Sequence, residues 1–282
     1  MKVLVTGAKG QLGFDVVRCL KELGVKCIGV GMDDLDISNL EATAKYIRCY
    51  HPDVVVHCAA YTDVDRAEFE AEKCRIINVT STENIASLCN EIGAKMVYIS
   101  TDYVFSGEGD TPFEVFSKVG PLSVYGQTKL DGEKVVQKSL PQHFIVRTSW
   151  AFGVNGDNFV KKMLRISGEY ETINVVSDQI GSPTFTFDLA QLIVDMIQTE
   201  KFGVYHATNE GYCSRAEFAA EIFRLTDKKN KVNFIKSDQY HMQAVRPKNS
   251  RLSKSSLDLG GFNRLPSWKE ALVRYLKETS AK

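Results

Sequence analysis

The chain has 282 residues, and its 35 Lys and Arg residues balance 35 Asp and Glu residues, so the formal net charge at pH 7 is zero. This balance argues against nucleic acid or an anionic membrane as the main partner, and an anionic ligand must be bound by local groups. The seven cysteines are scattered, without a CxxC pair or a Cys/His cluster, which argues against a disulfide framework and against structural zinc. The N-terminus lacks the apolar segment of a secretory signal, and no run reaches transmembrane length, so we expect a cytoplasmic protein.

Short β-branched runs alternate with helical patterns in the first half of the chain. The runs are KVLVT, VKCIGV, VVVHCAA, MVYIS and FIVRTS, in that order. The alternation predicts βαβ units and a parallel sheet, which is an α/β fold of the doubly wound Rossmann type. Capping-box pairs, Thr80 with Glu83 and Ser214 with Glu217, predict helix N-termini at Thr80 and Ser214.

Beyond the fifth predicted strand the alternation loosens and the loops lengthen. We expect residues 1–150 to form a dinucleotide-binding Rossmann domain, with a segment of roughly 173–200 returning to it. Residues 151–282 are expected to form mainly a smaller, interleaved substrate-binding lobe. No low-complexity linker separates the two parts, so they should share a cleft.

The sequence TGAKGQLG follows the first strand and opens the first helix. Its glycines, Gly7, Gly10 and Gly13, allow the backbone to approach a pyrophosphate, and the helix N-terminus supplies amides and positive potential. We therefore expect a dinucleotide. Gly31 stands where an acidic residue would favour NAD, and Lys9 could meet a 2′-phosphate. Both NADPH and NADH are expected as cofactors, and Lys9 as a solvated loop charge is the alternative.

Two further strand ends carry candidate ligands. The third strand leads into Ala59, Ala60 and Tyr61, and the fourth leads into Thr101 and Asp102. Ligands of open α/β sheets bind beyond the carboxyl ends of the strands, where small residues let the backbone come close to a nicotinamide. We therefore expect both groups to face one cleft.

The sequence SVYGQTKLDGE holds Tyr125 and Lys129 four residues apart, which is one turn of a helix and the same face. The ammonium is expected to favour the phenolate and to hold the nicotinamide ribose. With Thr101 on the same oxygen, this set fits carbonyl reduction or its reverse, in which Tyr125 exchanges the proton. A tyrosine beside a snorkelling lysine is the alternative without chemistry.

These motifs, together with RTSW, DQIGSPT and RPKNSRL, resemble the extended, sugar-nucleotide branch of the short-chain dehydrogenase/reductase superfamily. Over nearly the whole chain the closer resemblance is to the dTDP-4-dehydrorhamnose reductase family. This resemblance implies reduction of the 4-keto group of dTDP-4-dehydro-β-L-rhamnose to dTDP-L-rhamnose, the last step of dTDP-rhamnose synthesis. It implies that Tyr125 is the proton donor, that Lys129 lies on the cofactor and that Thr101 tunes the carbonyl.

The resemblance also implies ligand contacts. The sugar nucleotide would touch Thr101, Asp102 and Trp150. The contacts implied for NAD(P)H are Gly10, Gln11, Leu12, Asp36, Ile37, Ala59, Ala60 and Tyr61. From their residue types alone, Arg246 and Asn249 in RPKNSRL suit a diphosphate, and a solvated basic loop is the alternative.

Some relatives hold magnesium between subunits through carboxylates. Here Asp15 is acidic at the first such position, but Phe187 stands where a second carboxylate would be needed. No metal is therefore assigned. The sequence leaves open whether the protein forms a homodimer.

Two other functions remain open from the sequence. An epimerase or dehydratase of the same superfamily would retain its cofactor and needs a further acid or base; Asp102 is one, but no glutamate stands beside it. A non-catalytic NADP-binding regulatory subunit, resembling the methionine adenosyltransferase beta subunit, would bind a partner enzyme without turnover. The complete set of Thr101, Tyr125 and Lys129 favours net reduction over both.

Overall fold

The computed structural model describes residues 1–240 and 243–280, in which strands and helices alternate as predicted along the first half of the chain. The strands are β1 Lys2–Thr6, β2 Lys26–Val30, β3 Val54–His57, β4 Lys95–Thr101, β5 His143–Thr148, β6 Ala151–Phe152, β7 Thr172–Val176, β8 Ile180–Gly181, β9 Thr184–Phe185, β10 Gly203–His206, β11 Asn209–Glu210, β12 Cys213–Ser214, β13 Lys231–Ile235, β14 Asn249–Ser250 and β15 Leu265–Ser267. The helices are α1 Gln11–Glu22, α2 Leu40–Tyr50, α3 Val64–Ala67, α4 Ala71–Arg75, α5 Ser81–Ile92, α6 Val124–Ser139, α7 Phe159–Ile166, α8 Thr186–Ile197, α9 Arg215–Leu225, α10 Ser255–Gly260 and α11 Trp268–Ser280.

Six parallel strands form the central sheet, in the order β2-β1-β3-β4-β5-β10. Successive side chains of a strand point to opposite faces. Accordingly, Val3 and Val5 pack in a core with residues of α1 and α8, whereas Leu4 packs on the other face with residues of α2 and α5. Helices cover both faces, which confirms the doubly wound Rossmann-type fold.

A second core lies outside this sheet, where α7, α9 and α11 pack together with the aromatic residues of β6 and β9. β7 pairs with β13 and not with the central sheet, so residues 173–176 do not return to it as expected. The returning elements are α8, which packs on α1, and β10, which pairs with β5. The two parts of the chain are therefore interleaved through α8 and β10.

The two predicted capping boxes have different outcomes. At Ser214 the box is confirmed, because the Ser214 hydroxyl accepts from the Glu217 amide at 3.1 Å and the Glu217 carboxylate accepts from the Ser214 amide at 2.6 Å. At Thr80 it is wrong. The helix already runs from Ala71 through a π-helical turn, Ile76–Thr80, into α5. The amides after Thr80 thus have carbonyl acceptors in the preceding turn and need no cap.

One buried ion pair fixes α6 against the sheet. The Arg147 guanidinium of β5 donates to both Glu133 oxygens of α6 at 2.8 and 2.7 Å, and their side chains are only 6% and 2% exposed. The Ser100 hydroxyl of β4 donates to Glu133 at 2.5 Å, and the Val115 carbonyl accepts from Arg147 at 3.0 Å. Because each charge has further hydrogen bonds, the cost of removing the pair from water is offset.

No helix in the described ranges is long and apolar enough to cross a membrane.

Arg147→Met is expected to lower the free energy of unfolding by about 3–5 kcal/mol, because it leaves the Glu133 carboxylate buried without its partner. The measurement is urea unfolding followed by circular dichroism. Arg48→Met is the matched control, because Arg48 makes the same two-bond contact with Glu91 at the surface, where water and salt screen it. Equal unfolding midpoints for the two variants would contradict the structural role of the buried pair.

Candidate active site

A cleft of about 1140 Å³ opens at the carboxyl ends of β1, β3, β4 and β5, as expected for an open parallel sheet. The predicted site residues on its lining are Gly7, Gly10, Gln11, Leu12, Asp36, Ile37, Ala59, Ala60, Thr101, Asp102, Tyr125, Lys129 and Trp150. Tyr61, Gly13, Arg246 and Asn249 are absent from that lining. The structure therefore brings both groups of strand ends, the glycine turn and the Tyr125 helix to one cavity.

The glycine turn provides bare backbone at the start of α1. Gly7 has a φ of +67°, and a Cβ atom on it would lie 2.6 Å from the amide nitrogen of Ala59. A Cβ atom on Gly13 would lie 2.3 Å from the Gly7 carbonyl oxygen. Gly13 therefore lies outside the cleft and allows the first turn of α1 to pack closely against the glycine turn. The side-chain oxygen of Gln11 is buried without a hydrogen-bond partner among the described residues. The bare backbone of the turn and the N-terminus of α1 fit the pyrophosphate of a dinucleotide, whereas the Gln11 oxygen could accept only from a ligand donor.

At the outer end of the cleft, Lys9 is exposed to solvent and forms an ion pair at the surface. Its ammonium lies 2.8 Å from Asp33 and 3.7 Å from Asp34, and the pair raises the pKa of Lys9 and lowers the pKa of Asp33. A Cβ atom on Gly31 would lie 2.6 Å from the Lys9 side chain. Gly31 therefore leaves space for the lysine, and two carboxylates lie beside the position where a 2′-phosphate was expected.

The environment of Lys129 is apolar and aromatic. Its ammonium lies 4.0 Å from the centre of the Tyr98 ring, and the side chain is buried. Burial lowers the pKa of Lys129 to about 7, and the Glu133 carboxylate one turn further along α6 acts in the opposite direction.

The pKa of Tyr125 moves opposite to the sequence-based expectation. Burial raises it well above its usual value, and a hydrogen bond with Thr101 opposes that shift. Lys129 was expected to favour the phenolate, but its ammonium lies over the Tyr98 ring instead. In the chain without ligands Tyr125 is therefore a protonated phenol at neutral pH.

A second acidic group lies beside the phenol. The Thr101 hydroxyl donates to Asp102 at 3.0 Å, and burial raises the pKa of the Asp102 carboxyl to about 6. The Tyr103 ring meets the Tyr125 ring edge-on, with centroids 5.4 Å apart. Tyr103 also lines the cleft, and sequence reasoning did not single it out.

Trp150 stands in a constrained position on the substrate side. It has a φ of +50°, which is unusual for a bulky residue. A Cβ atom on Gly181 would lie 2.8 Å from the indole, so glycine leaves room for the ring. The guanidinium of Arg215 stacks on the indole at 3.7 Å from the ring centroid and also lines the cleft. Sequence reasoning missed Arg215, because nothing in its local pattern indicates this contact.

Three predicted ligand residues make protein contacts outside the cleft lining. The Tyr61 hydroxyl donates to Glu70 at 3.0 Å. Arg246 donates to both oxygens of Asp65 at 2.9 and 2.7 Å. Asn249 is buried and donates to a backbone carbonyl at 2.8 Å. Their contacts with ligands stay predictions, and Arg246 would have to share its charge with Asp65.

Asn78, which sequence reasoning also missed, ties the Tyr61 loop to α6. Its side chain accepts from the Tyr61 amide at 2.8 Å and donates to the Tyr61 carbonyl and the Thr128 hydroxyl, both at 3.1 Å. Thr128 precedes Lys129 in the chain. The only local signal was an amide inside the apolar run IINVT, at what proves to be a π-helical turn, a feature frequent near functional sites.

The carboxylate considered for magnesium is engaged inside the protein. Asp15 is buried and accepts from the Thr186 hydroxyl at 2.5 Å, while the Phe187 ring lies under the Arg18 guanidinium at 4.6 Å. Among the residues that the structure describes, no three His, Cys, Asp or Glu side chains form a group that could hold a metal ion.

Comparisons with known proteins agree with this geometry. The family model of the RmlD substrate binding domain matches residues 1–281. The dTDP-4-dehydrorhamnose reductase of Escherichia coli K12 is 38% identical, over 99% of this chain and 98% of that protein. A crystal structure of a dTDP-4-dehydrorhamnose reductase from Clostridium acetobutylicum superposes with a TM-score of 0.97 at 41% identity, covering 99% of this chain and 100% of that one.

A second solved structure adds a cofactor. The dTDP-4-dehydrorhamnose reductase of Bacillus anthracis, crystallised in complex with NADP, superposes with a TM-score of 0.96 at 41% identity and covers 99% of this chain and 100% of that one. Full-length similarity at this level goes beyond a shared fold. The chain belongs to the RmlD substrate binding domain family, the family of the dTDP-4-dehydrorhamnose reductases that it resembles along almost its whole length.

Proposed function

We propose that the chain reduces the 4-keto group of dTDP-4-dehydro-β-L-rhamnose to dTDP-L-rhamnose with NADPH or NADH. The observation that carries this proposal is that Tyr125, Lys129 and Thr101 line the same cleft as the glycine turn. The identity to reductases over 99% of the chain supports the choice of substrate. A cytoplasmic location is part of the proposal, because all seven cysteines are free thiols, as reducing compartments keep them.

The chain's own residues bind the two ligands and move one proton. The turn around Gly7 and Gly10 holds the pyrophosphate, and the Lys129 ammonium holds the nicotinamide ribose. When bound, the cofactor supplies the hydride that reduces the carbonyl carbon. Tyr125 donates its phenolic proton to the carbonyl oxygen as negative charge develops there, and the Thr101 hydroxyl hydrogen-bonds the same oxygen. The ketone thus gains a hydride and a proton and becomes an alcohol.

The protonated state of Tyr125 favours net reduction over the alternatives. A proton donor must carry its proton at the working pH, and burial keeps the pKa of this phenol raised. An epimerase or dehydratase needs a further acid or base; Asp102, which accepts a hydrogen bond from Thr101, is one candidate, and the sequence has no glutamate beside it. A regulatory subunit without turnover would not require Tyr125, Thr101 and Lys129 on one cleft.

Tyr125→Phe is expected to lower kcat about 10²–10⁴-fold, because it removes the proton donor and leaves the ring. The assay generates dTDP-4-dehydro-L-rhamnose in situ with an upstream dehydratase and epimerase, and follows loss of reduced-nicotinamide absorbance. Tyr170→Phe is the control, because that side chain is exposed at the surface. Product formed by the Tyr125 variant at the wild-type rate would refute the assignment.

Affinity for NADH is expected to fall as the pH rises above 7. The pKa of Lys129 is about 7 in the free protein, and hydrogen bonding of the ammonium to the ribose raises it in the complex. Binding therefore takes up a proton: the full affinity is present below 7 and is lost as the pH passes the pKa of the complex. Fluorescence titration between pH 6 and 9 measures the dissociation constant of NADH. NADH is used because it lacks the 2′-phosphate of NADPH, which would itself titrate in this range. Lys129→Met should bind weakly with a flat profile; an equally flat wild-type profile would contradict the role of the lysine.

Asp33→Asn is expected to shift cofactor preference toward NADPH by several-fold in relative kcat/KM. The change removes a negative charge beside the position of the 2′-phosphate and releases Lys9 from its ion pair. Steady-state assays with each cofactor measure the ratio. Asp195→Asn, at an exposed position on α8, should leave the ratio unchanged. A ratio that moves toward NADH would exclude electrostatic discrimination by Asp33.

A further inference from the structure

Arg215 is a cation of the cleft wall, and the Asp102 carboxylate interacts with its charge from beyond ion-pair distance. It lines the cavity, and within residues 1–240 and 243–280 no Asp or Glu oxygen lies within 4.0 Å of its guanidinium. The nearest carboxylate along the chain, Glu217, is engaged in capping α9 through the Ser214 amide. A guanidinium in a partly desolvated wall that makes no direct ion pair is costly unless a ligand supplies further negative charge.

The other cations near the cleft have partners. Lys9 pairs with Asp33 at 2.8 Å, and Arg246 pairs with Asp65 at 2.7 Å. Lys129 has no carboxylate within ion-pair distance in the described part of the chain either, but it lies over the Tyr98 ring on the helix of the proposed proton donor. Arg215 is therefore the guanidinium of the cavity wall whose charge is available to an anion.

Trp150 fixes the plane of this guanidinium. The stacking distance of 3.7 Å is short for a cation over an indole. Stacking occupies a face of the guanidinium and leaves its edge N–H donors for hydrogen bonds. The indole is itself held by a left-handed backbone and by the space that Gly181 leaves. The donor fork is thus rigid before any ligand arrives.

Arg215 also lies close to the reacting groups. Burial lowers the pKa of Arg215 to about 10, and the neighbouring Tyr103 and Asp102 act in the opposite direction, so it stays charged at neutral pH. Tyr103 is in edge contact with Tyr125. A ligand whose reacting carbon lies at Tyr125 would therefore have its anionic part near Arg215.

We propose that Arg215, stacked on Trp150, binds the diphosphate of the sugar nucleotide, a contact that the sequence had led us to expect from Arg246. This inference rests on the proposed function for the identity of the ligand. A guanidinium fork and a diphosphate are complementary in charge and in hydrogen-bond geometry, because two N–H groups can donate to two phosphate oxygens.

The test measures binding without turnover. Calorimetric titrations with dTDP and with thymidine, on protein saturated with NADP⁺, compare wild type, Arg215→Gln, Arg215→Lys and Arg224→Gln. Arg224 lies on the same helix and pairs with Glu221 at the surface, so it is the matched control. Arg215→Gln is expected to weaken dTDP binding about 10- to 100-fold and to leave thymidine binding unchanged. Arg215→Lys should recover part of the loss, because it restores charge without the fork.

The contrast between the two ligands separates diphosphate binding from structural support. Equal losses for dTDP and thymidine, or no loss for either, would overturn the proposal, since Arg215 would then only support Trp150. Unchanged NADP⁺ affinity shows that the variants are folded. A separate turnover assay on the wild-type protein distinguishes failure of the diphosphate subsite from failure of the proposed reaction. If the wild type turns over but dTDP binding does not depend on Arg215, the diphosphate subsite is refuted and the proposed reaction stands. If Arg215→Gln selectively weakens dTDP binding but the wild type does not turn over, the proposed reaction is refuted and the subsite stands.

Discussion

The ion pair between Glu133 and Arg147 is the interaction on which the geometry of the cleft depends. It joins α6 to β5, and the Ser100 hydroxyl extends the contact to β4. Tyr125 and Lys129 lie two turns and one turn before Glu133 on the same helix, while Thr101 directly follows Ser100. A buried pair of this kind adds little net stability compared with apolar packing, but it penalises any displacement of α6 that would separate the charges. The position of the phenol relative to Thr101 is therefore set by an interaction outside the cleft.

Desolvation, more than the lysine, determines the charge state of the site. Burial acts in opposite directions on an acid and a base, because it disfavours the charged form of each. It raises the pKa of Tyr125 and lowers that of Lys129 to about 7. Without ligands, Tyr125 is therefore neutral at pH 7, and Lys129 carries its charge in only about half of the molecules. A bound anionic cofactor would favour the ammonium, so the charge that assists proton transfer is established together with the ligand that requires it.

The fold and the outline of the site could be predicted because their signals are local. Strand runs, the glycine turn and the Tyr125–Lys129 spacing each lie within a short segment, and parallel strands bring their carboxyl ends to one edge whatever the rest of the chain does. The pairing of charges could not be predicted. Arg246 finds Asp65 across 181 positions, and Arg215 stacks on Trp150 from a different element. Such partners depend on tertiary packing, which no periodicity records. The π-helical turn that carries Asn78 was hidden for the same reason.

The distribution of carboxylates decides which cations of the cleft are available to phosphate. Of the basic side chains considered near the cavity, Lys9 and Arg246 have aspartate partners, whereas Lys129 lies over the Tyr98 ring and Arg215 over the Trp150 ring. An aromatic face stabilises a cation without neutralising it, and it leaves the N–H donors of the cation exposed at their edges. Aromatic support thus keeps charge available where a carboxylate would cancel it. In a protein with zero net charge, anionic ligands cannot be attracted by a general field, so in the proposed reaction both phosphate-bearing ligands would depend on local cations held in this way.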